Sequence, residues 1–191
     1  MAGQVRKLLR DATTEVHYRL HRHPLLAPVM APALTLAQYI TALRALYGLH
    51  AVSDSRLAER WPRRTHRAPP LATDLETLGV DPATCPIFTD MASYTTPAAF
   101  LGGRYVVDGS YFGSSPLAAN VKRTLGFDAT TGGASFLDTP DLEPTRDWRS
   151  LMAWLEELES PEEREQARQA AELTFAEVAR WLDRCADQAQ A

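Results

Sequence analysis

No stretch of this sequence is hydrophobic for anything near the roughly 20 residues that a membrane-spanning helix needs. The opening MAGQVRKLLRDATTEVH is charged and amphipathic, without the continuous apolar core of a signal peptide. Cysteine is scarce: Cys85 and Cys185 are the only two, and they lack the spacing of a metal site or a disulfide framework. These absences predict a reduced, cytoplasmic protein. No alternating apolar–polar run exceeds Arg104–Val107 and no segment repeats, which leaves no basis for a sheet or a repeat architecture.

The 191 residues are 45% hydrophobic and 23% charged, which is enough for a core and fits one domain over residues 1–191. The net charge of −4 conceals an asymmetry. Residues 1–70 carry 11 Lys/Arg against 4 Asp/Glu, a balance of +7, and residues 71–191 carry 9 against 20, a balance of −11. A basic half of this kind is either one solvated face or the receiver of an anionic ligand or acidic partner. It has no aromatic interleaving and no nucleic-acid motif, which argues against nucleic acid.

Helical periodicity dominates, and the fold class it predicts is all-α. Val5, Leu8, Leu9, Ala12, Val16 and Leu20 recur at three- and four-residue steps over residues 4–21, and His23-Pro24 ends that helix. A short apolar piece, Leu25 to Met30, follows. Thr35 caps a longer helix expected to reach about Arg60, with Trp61-Pro62 as its stop. Arg63 to Ala68 reads as a basic linker, and Leu71 to Leu78 as a helix closed by Gly79. Thr95-Thr96-Pro97 starts an apolar segment to Leu125 that holds Gly102, Gly103, Gly109, Gly113 and Pro116. After Gly126 a Gly/Asp/Pro-rich loop runs to Pro144. Asp147 to Leu158 is expected to be a helix, and Ser160-Pro161-Glu162-Glu163 opens the last one.

Two features carry chemistry. On the first helix, His17 sits at the edge of the apolar face, with His21 one turn on and His23 beyond. A neutral imidazole there can be an ordinary packed residue or an axial ligand for heme iron. Zinc at His17 and His21 would need a third ligand and usually a carboxylate base. Tyr18, Arg19 and Leu20 supply neither, and Arg19 and Arg22 oppose a bound cation. Arg10, two turns before His17, is placed to meet a carboxylate of a flat ligand, or is a plain surface arginine.

The second feature is LGGRYVVDGSYFGS, residues 101–114, where Gly109 and Gly113 stack on one helical face. Each interior glycine costs a helix roughly 1 kcal/mol against alanine, so several together need a reason. Either helices pack closely there, or a flat ligand lies against bare backbone that also kinks. In the second case close backbone atoms steer dioxygen toward one edge of a macrocycle. Asp108, Ser110, Ser114 and Ser115 are then the candidates for holding a proton-delivering water.

These residues carry a resemblance. LLRDATTEVH, residues 8–17, resembles the opening motif of heme oxygenases, where a basic residue precedes the proximal histidine by seven. LTLAQYITALRALYGLHA, residues 34–51, looks like the second helix of the bacterial branch found beside bacteriophytochromes. GGRYVVDGSYFGS is similar to that branch's distal-helix motif. The three occur in the expected order. The resemblance implies a single-domain heme oxygenase-like helical fold with a kinked distal helix. It implies heme as substrate and cofactor, with His17 as the axial iron ligand and Arg10, Tyr105 and Arg168 as cofactor-binding residues; Arg180 is a second candidate for the last-helix cation. Gly109, Ser110, Gly113 and Ser114 become the catalytic distal positions. Biliverdin, carbon monoxide and iron are the implied products, an external donor such as ferredoxin the implied electron source, and a bacteriophytochrome the implied receiver of biliverdin.

Departures from the motif matter. Ser114 replaces a second glycine, Tyr111 and Phe112 are bulkier than the usual pair, and Pro116 follows at once. A carrier or sensor that binds heme or bilin without turnover is therefore the alternative. Thiamin-salvage hydrolysis on a similar fold would need a nucleophilic cysteine, which neither the T-C-P context of Cys85 nor the terminal-helix position of Cys185 suits.

Overall fold

The structure, a computed structural model, describes residues 3–61, 65–137 and 142–190. Within them the chain forms α1 (Gln4–His21), α2 (Leu36–Ala58), α3 (Ala68–Thr77), α4 (Pro97–Gly109), α5 (Ser114–Leu125), α6 (Leu142–Glu156) and α7 (Pro161–Gln190). Short 3₁₀ turns occupy Ala27–Met30, Pro82–Thr84 and Ser110–Gly113. Among the described residues the β-structure is limited to isolated bridges from Asp128 to Gly132 and Gly133.

The start signals act as the sequence suggests. Thr35 Oγ1 accepts from the Gln38 N–H at 3.3 Å while Gln38 Oε1 accepts from the Thr35 N–H at 3.0 Å, closing a capping box on α2. Ser160 and Glu163 do the same for α7, both bonds being 3.1 Å. Thr96 caps α4 ahead of Pro97, and Gly126 closes α5 at φ +79°. The first helix has no cap of its own. Instead Glu156, the last residue of α6, accepts from the N–H groups of Gln4 (3.1 Å) and Arg6 (3.0 Å), placing an anion at the positive end of α1.

Boundaries differ from expectation at the end of α2 and at both ends of α3 and α6, which stop at Thr77 and Glu156 rather than Leu78 and Leu158. α2 ends at Ala58, short of Arg60. α3 begins at Ala68 rather than Leu71, because Pro69 and Pro70 fall in its first turn, where a missing N–H costs nothing, and because Asp54 of α2 accepts from the N–H groups of Arg67 (2.6 Å) and Ala68 (2.7 Å). Arg67 is thus not part of a solvated basic linker: it is buried, its guanidinium 4.1 Å from the Phe136 ring centre and 5.0 Å from that of Tyr111. α6 begins at Leu142, ahead of Asp147. The expected stop at Pro62, the Arg63 end of the linker and residues 138–141 of the loop lie outside the described residues.

α7 is the central element. Its Ala167, Ala171 and Phe175 join Val5 and Leu9 of α1, Ala98 and Val106 of α4, and Leu151 and Leu155 of α6. Its Trp181 and Leu182 join Leu49 and Leu57 of α2 with Phe88. A further cluster ties α2 and α3 to α5 and residues 134–137. His17 of α1 faces Phe175 of α7 and His23 bonds Asp183 at 3.1 Å, so residue numbers climb together and the two helices run parallel.

Two of the segment's glycines are explained by this packing. A Cβ at Gly102 would lie 2.0 Å from the carbonyl oxygen of Ala167, and one at Gly103 would lie 2.1 Å from the ring of Tyr94. Both are sites where α4 meets backbone or ring too closely for any side chain.

Candidate functional site

On α1 the buried residues Val5, Leu9 and Thr13 are four apart, and His17 is the next step. Steps of four drift about 40° around a 3.6-residue helix, so the fourth member of the series emerges at the rim. His17 is accordingly exposed, with the edge of its ring toward Phe175 of α7 (centroids 6.2 Å apart, planes at 85°). Its Nε2 lies 3.3 Å from Nε2 of His21. Burial against the helix surface lowers the His17 pKa, and the neighbouring His21 lowers it further, so the ring is neutral near pH 7 and has a lone pair to offer. Tyr18 beside it is 61% exposed.

The other half of the site is the break between α4 and α5. Helix α4 stops at Gly109, residues Ser110–Gly113 tighten into a 3₁₀ turn, and α5 resumes at Ser114. Pro116 is the third residue of α5, where its absent N–H is one of the helix's unpartnered four, so the proline marks a restart rather than breaking a helix. Neither glycine is demanded by its conformation: Gly109 has φ −64° and ψ −24°, Gly113 φ −90° and ψ −2°. A Cβ on Gly109 would rest at 3.4 Å from the Trp148 ring of α6, and a Cβ on Gly113 would meet nothing within 4 Å.

Tyr105 joins the two halves. Its ring packs on Trp148 (centroids 5.5 Å apart) and its hydroxyl lies close to Thr13 of α1, whose own hydroxyl donates to the Leu9 carbonyl at 2.7 Å. Burial raises the phenol's pKa, while Arg6 and the nearby Thr13 hydroxyl work against the rise. His17 is one turn beyond Thr13 and Gly109 one turn beyond Tyr105, so each half of the site lies about 5.4 Å of helix rise from this approach. Arg10 is exposed on α1, 3.4 Å from Asp11. Arg168 stands seven residues before Phe175, as Arg10 does before His17, so the parallel helices put both guanidiniums two turns N-terminal of the ring pair. Arg168 is clamped by Glu165 (2.5 Å) and Glu172 (2.6 Å), which hold its charge in place and largely balance it. Arg180 is exposed further along α7.

The polar distal candidates point elsewhere. Ser110 Oγ donates to the Val107 carbonyl (2.7 Å) and Ser114 Oγ to that of Tyr111 (2.8 Å). Asp108 accepts from Nε (3.0 Å) and Nη2 (2.8 Å) of Arg104, a fully buried arginine lying beside the Trp61 and Trp154 rings. Of the bulky pair, Tyr111 lies over the guanidinium of Arg67 and Phe112 leans on Trp148 (5.1 Å) while remaining 50% exposed. Phe175, Trp148 and Thr13 were not singled out by the sequence. Phe175 belonged to the apolar stripe of the last helix, and nothing local marks Trp148 or Thr13, since their partners are far away in the chain. Cys85 and Cys185 are buried free thiols; burial raises both, Cys185 to about 11, which does not suit a nucleophile.

An all-α chain with an imidazole at the rim of its first helix and a glycine-interrupted helix across from it has the fold of the heme oxygenases. Solved structures share it: heme oxygenase from Leptospira interrogans has a TM-score of 0.77 at 18% identity, covering 94% of this chain and 98% of that one. The cyanobacterial Synechocystis heme oxygenase-1 in complex with heme gives 0.74 at 13% identity, covering 97% and 94%. The NO- and CO-bound Neisseria meningitidis enzyme gives 0.70 at 22% identity, covering 95% and 90%. No protein-family profile and no curated protein sequence matches the chain. No helix among the described residues is long and apolar enough to cross a membrane.

Proposed function

We propose that this protein is a heme oxygenase that takes heme as its substrate between α1 and the α4–α5 break, holds it through His17, and opens the ring to biliverdin, carbon monoxide and iron. The observation that carries the reading is Gly113. Its backbone, at φ −90° and ψ −2° in the 3₁₀ turn, is open to any residue and a methyl group there would touch nothing, so neither conformation nor packing accounts for glycine. A flat ligand lying against the backbone does account for it. Two of the large exposed apolar side chains, Tyr18 and Phe112, adjoin the two halves of the same site and gain cover from such a ligand.

The residues present suit a porphyrin. His17 offers a neutral nitrogen at the rim of α1, and Phe175 fixes its ring from below. Arg10 and Arg168 stand level with each other for carboxylates at one edge, Arg10 as the more available of the two. Bound heme supplies the redox chemistry, and the chain supplies position and polarity. Gly109 and Gly113 keep side chains away from the oxygen side, and Trp148, Tyr105 and Phe112 line its approach. Electrons come from an acidic external donor of the ferredoxin kind meeting the basic N-terminal half, in the cytoplasm, and the biliverdin serves a bacteriophytochrome.

One observation favours a second reading, in which heme or bilin is held without turnover: the Ser110 and Ser114 hydroxyls donate to carbonyls of their own helical segment and Asp108 is held by Arg104, so these three side chains are poorly placed to order water on the distal side. Hemin titration followed by reductant and oxygen separates the two. The enzyme loses its Soret band as a biliverdin band grows; the carrier stops at a stable complex. Failure of hemin to give an axially coordinated complex at all would sink both.

A further inference from the structure

His17 and His21 have a geometry that heme binding does not require. One turn apart on α1, their rings stand 4.5 Å between centroids with planes at 80°, and their Nε2 atoms face each other at 3.3 Å. Two imidazoles in this arrangement either share one proton over a long contact or converge on a common ion. With metal–nitrogen bonds of about 2.1 Å, nitrogens 3.3 Å apart subtend about 105°, near the tetrahedral value. Phe175 holds the His17 ring from one side, so half of the chelate is already ordered. Both rings are exposed, and a bound cation keeps water in its remaining positions.

From this we infer that the heme-free protein chelates a divalent late transition ion, Cu²⁺, Ni²⁺ or Zn²⁺, between His17 Nε2 and His21 Nε2. Imidazole pairs select these ions over the hard, oxygen-seeking Mg²⁺ and Ca²⁺. The case against zinc in the sequence was the want of a third ligand, and no group of three His, Cys, Asp or Glu gathers among the described residues. Among those residues the pair is therefore proposed as an open site, neither closed nor three-liganded. An exchangeable two-imidazole chelate completed by water needs no third side chain. Arg19, two residues from each histidine, projects away from the chelate. The other histidines offer no such pair. His23 is buried and bonded to Asp183 and the Leu25 N–H, His50 is buried in α2, and His66 is exposed by itself before α3.

The consequence rests on the reading of His17 as heme ligand: cation and heme then compete for one nitrogen, and a metal-loaded chain is closed to its substrate. The test uses untagged, heme-free, full-length protein. Calorimetric titration should show one site per chain for Cu²⁺, Ni²⁺ and Zn²⁺, tightest for Cu²⁺, and none for Mg²⁺. His17→Ala and His21→Ala should each weaken it by roughly 10–100-fold or more. Retention of full affinity in either variant overturns the site. In hemin titrations, Zn²⁺ should lower the apparent hemin affinity of the wild type but not of His21→Ala, which keeps axial coordination. Equal inhibition of both proteins overturns the competition. If the wild type never coordinates hemin, the functional reading fails while calorimetry still decides the metal site.

Discussion

At Gly113 a single residue separates what the protein needs from what its ligand needs. Because a Cβ there meets nothing, Gly113→Leu should fold with wild-type helicity and thermal midpoint, yet the side chain would fill the space assigned to the porphyrin face. The expected result is loss of hemin coordination with an unchanged circular dichroism spectrum; hemin turnover surviving the change would remove the distal face from Gly113. Gly102 behaves in the opposite way. A methyl 2.0 Å from the Ala167 carbonyl forces α4 and α7 apart, so Gly102→Ala should cost about 1–3 kcal/mol in chemical denaturation, with hemin binding lost only as stability is. His17→Ala should abolish the axial-histidine spectrum. An unaltered spectrum would transfer the ligand to His21. The sequence marked the glycines and His17 together, but could not separate the glycines that close packing demands from the one, Gly113, that it does not. That distinction lies in Ala167 and Tyr94, which no local pattern connects to residues 102 and 103.

The helices were legible wherever their signals are local. Thr35 with Gln38, Ser160 with Glu163, Thr96 with Pro97, and Gly126 each act within four residues of themselves, and each boundary falls where they place it. The start of α3 was misjudged because its cap, Asp54, comes from another helix. The start of α1 has the same character. Glu156 caps it from α6, and although burial raises the pKa of this carboxyl, hydrogen bonds from the N–H groups of Arg6, Val5, Gly3 and Gln4 outweigh that and leave it below its ordinary 4.5. A carboxyl lowered by folding stabilises the native state above its unfolded pKa and loses that contribution as pH falls through the lower folded value. Glu156→Gln should therefore cost about 1 kcal/mol at pH 7, and the difference from wild type should shrink on acidification below pH 4.5. A penalty independent of pH would mean that the side chain acts by packing rather than as an anion. Since α1 carries His17, fraying of its first turn should also weaken hemin binding before global unfolding is detectable.

Across the whole molecule, fold class and the order of helices followed from periodicity, while the meeting of α1 and α4, where Tyr105 comes close to Thr13, did not, because both lie on ordinary helical positions until the chain is folded. The charge asymmetry is a property of this scale too. Residues 4–22 carry five Lys/Arg against two Asp/Glu. At the N-terminal end Lys7 and Arg10 share Asp11, whereas Arg19 and Arg22 stand exposed at the end that bears His17. An acidic electron donor steered to that end would arrive close to His17, the iron ligand in the proposed function. Steering of this kind decays over a Debye length of about 10 Å at 0.1 M salt, so it acts on the rate of encounter and not on the bound heme. Turnover driven by a reduced acidic ferredoxin should therefore slow steeply with added salt. Arg19→Glu combined with Arg22→Glu should slow it at low salt and flatten the salt dependence, with the hemin spectrum unchanged. Turnover driven by a small chemical reductant should be the same in both proteins. If the charge-reversed protein keeps both the rate and the salt slope of the wild type, the donor approaches from another face, and the basic half is only a solvated surface.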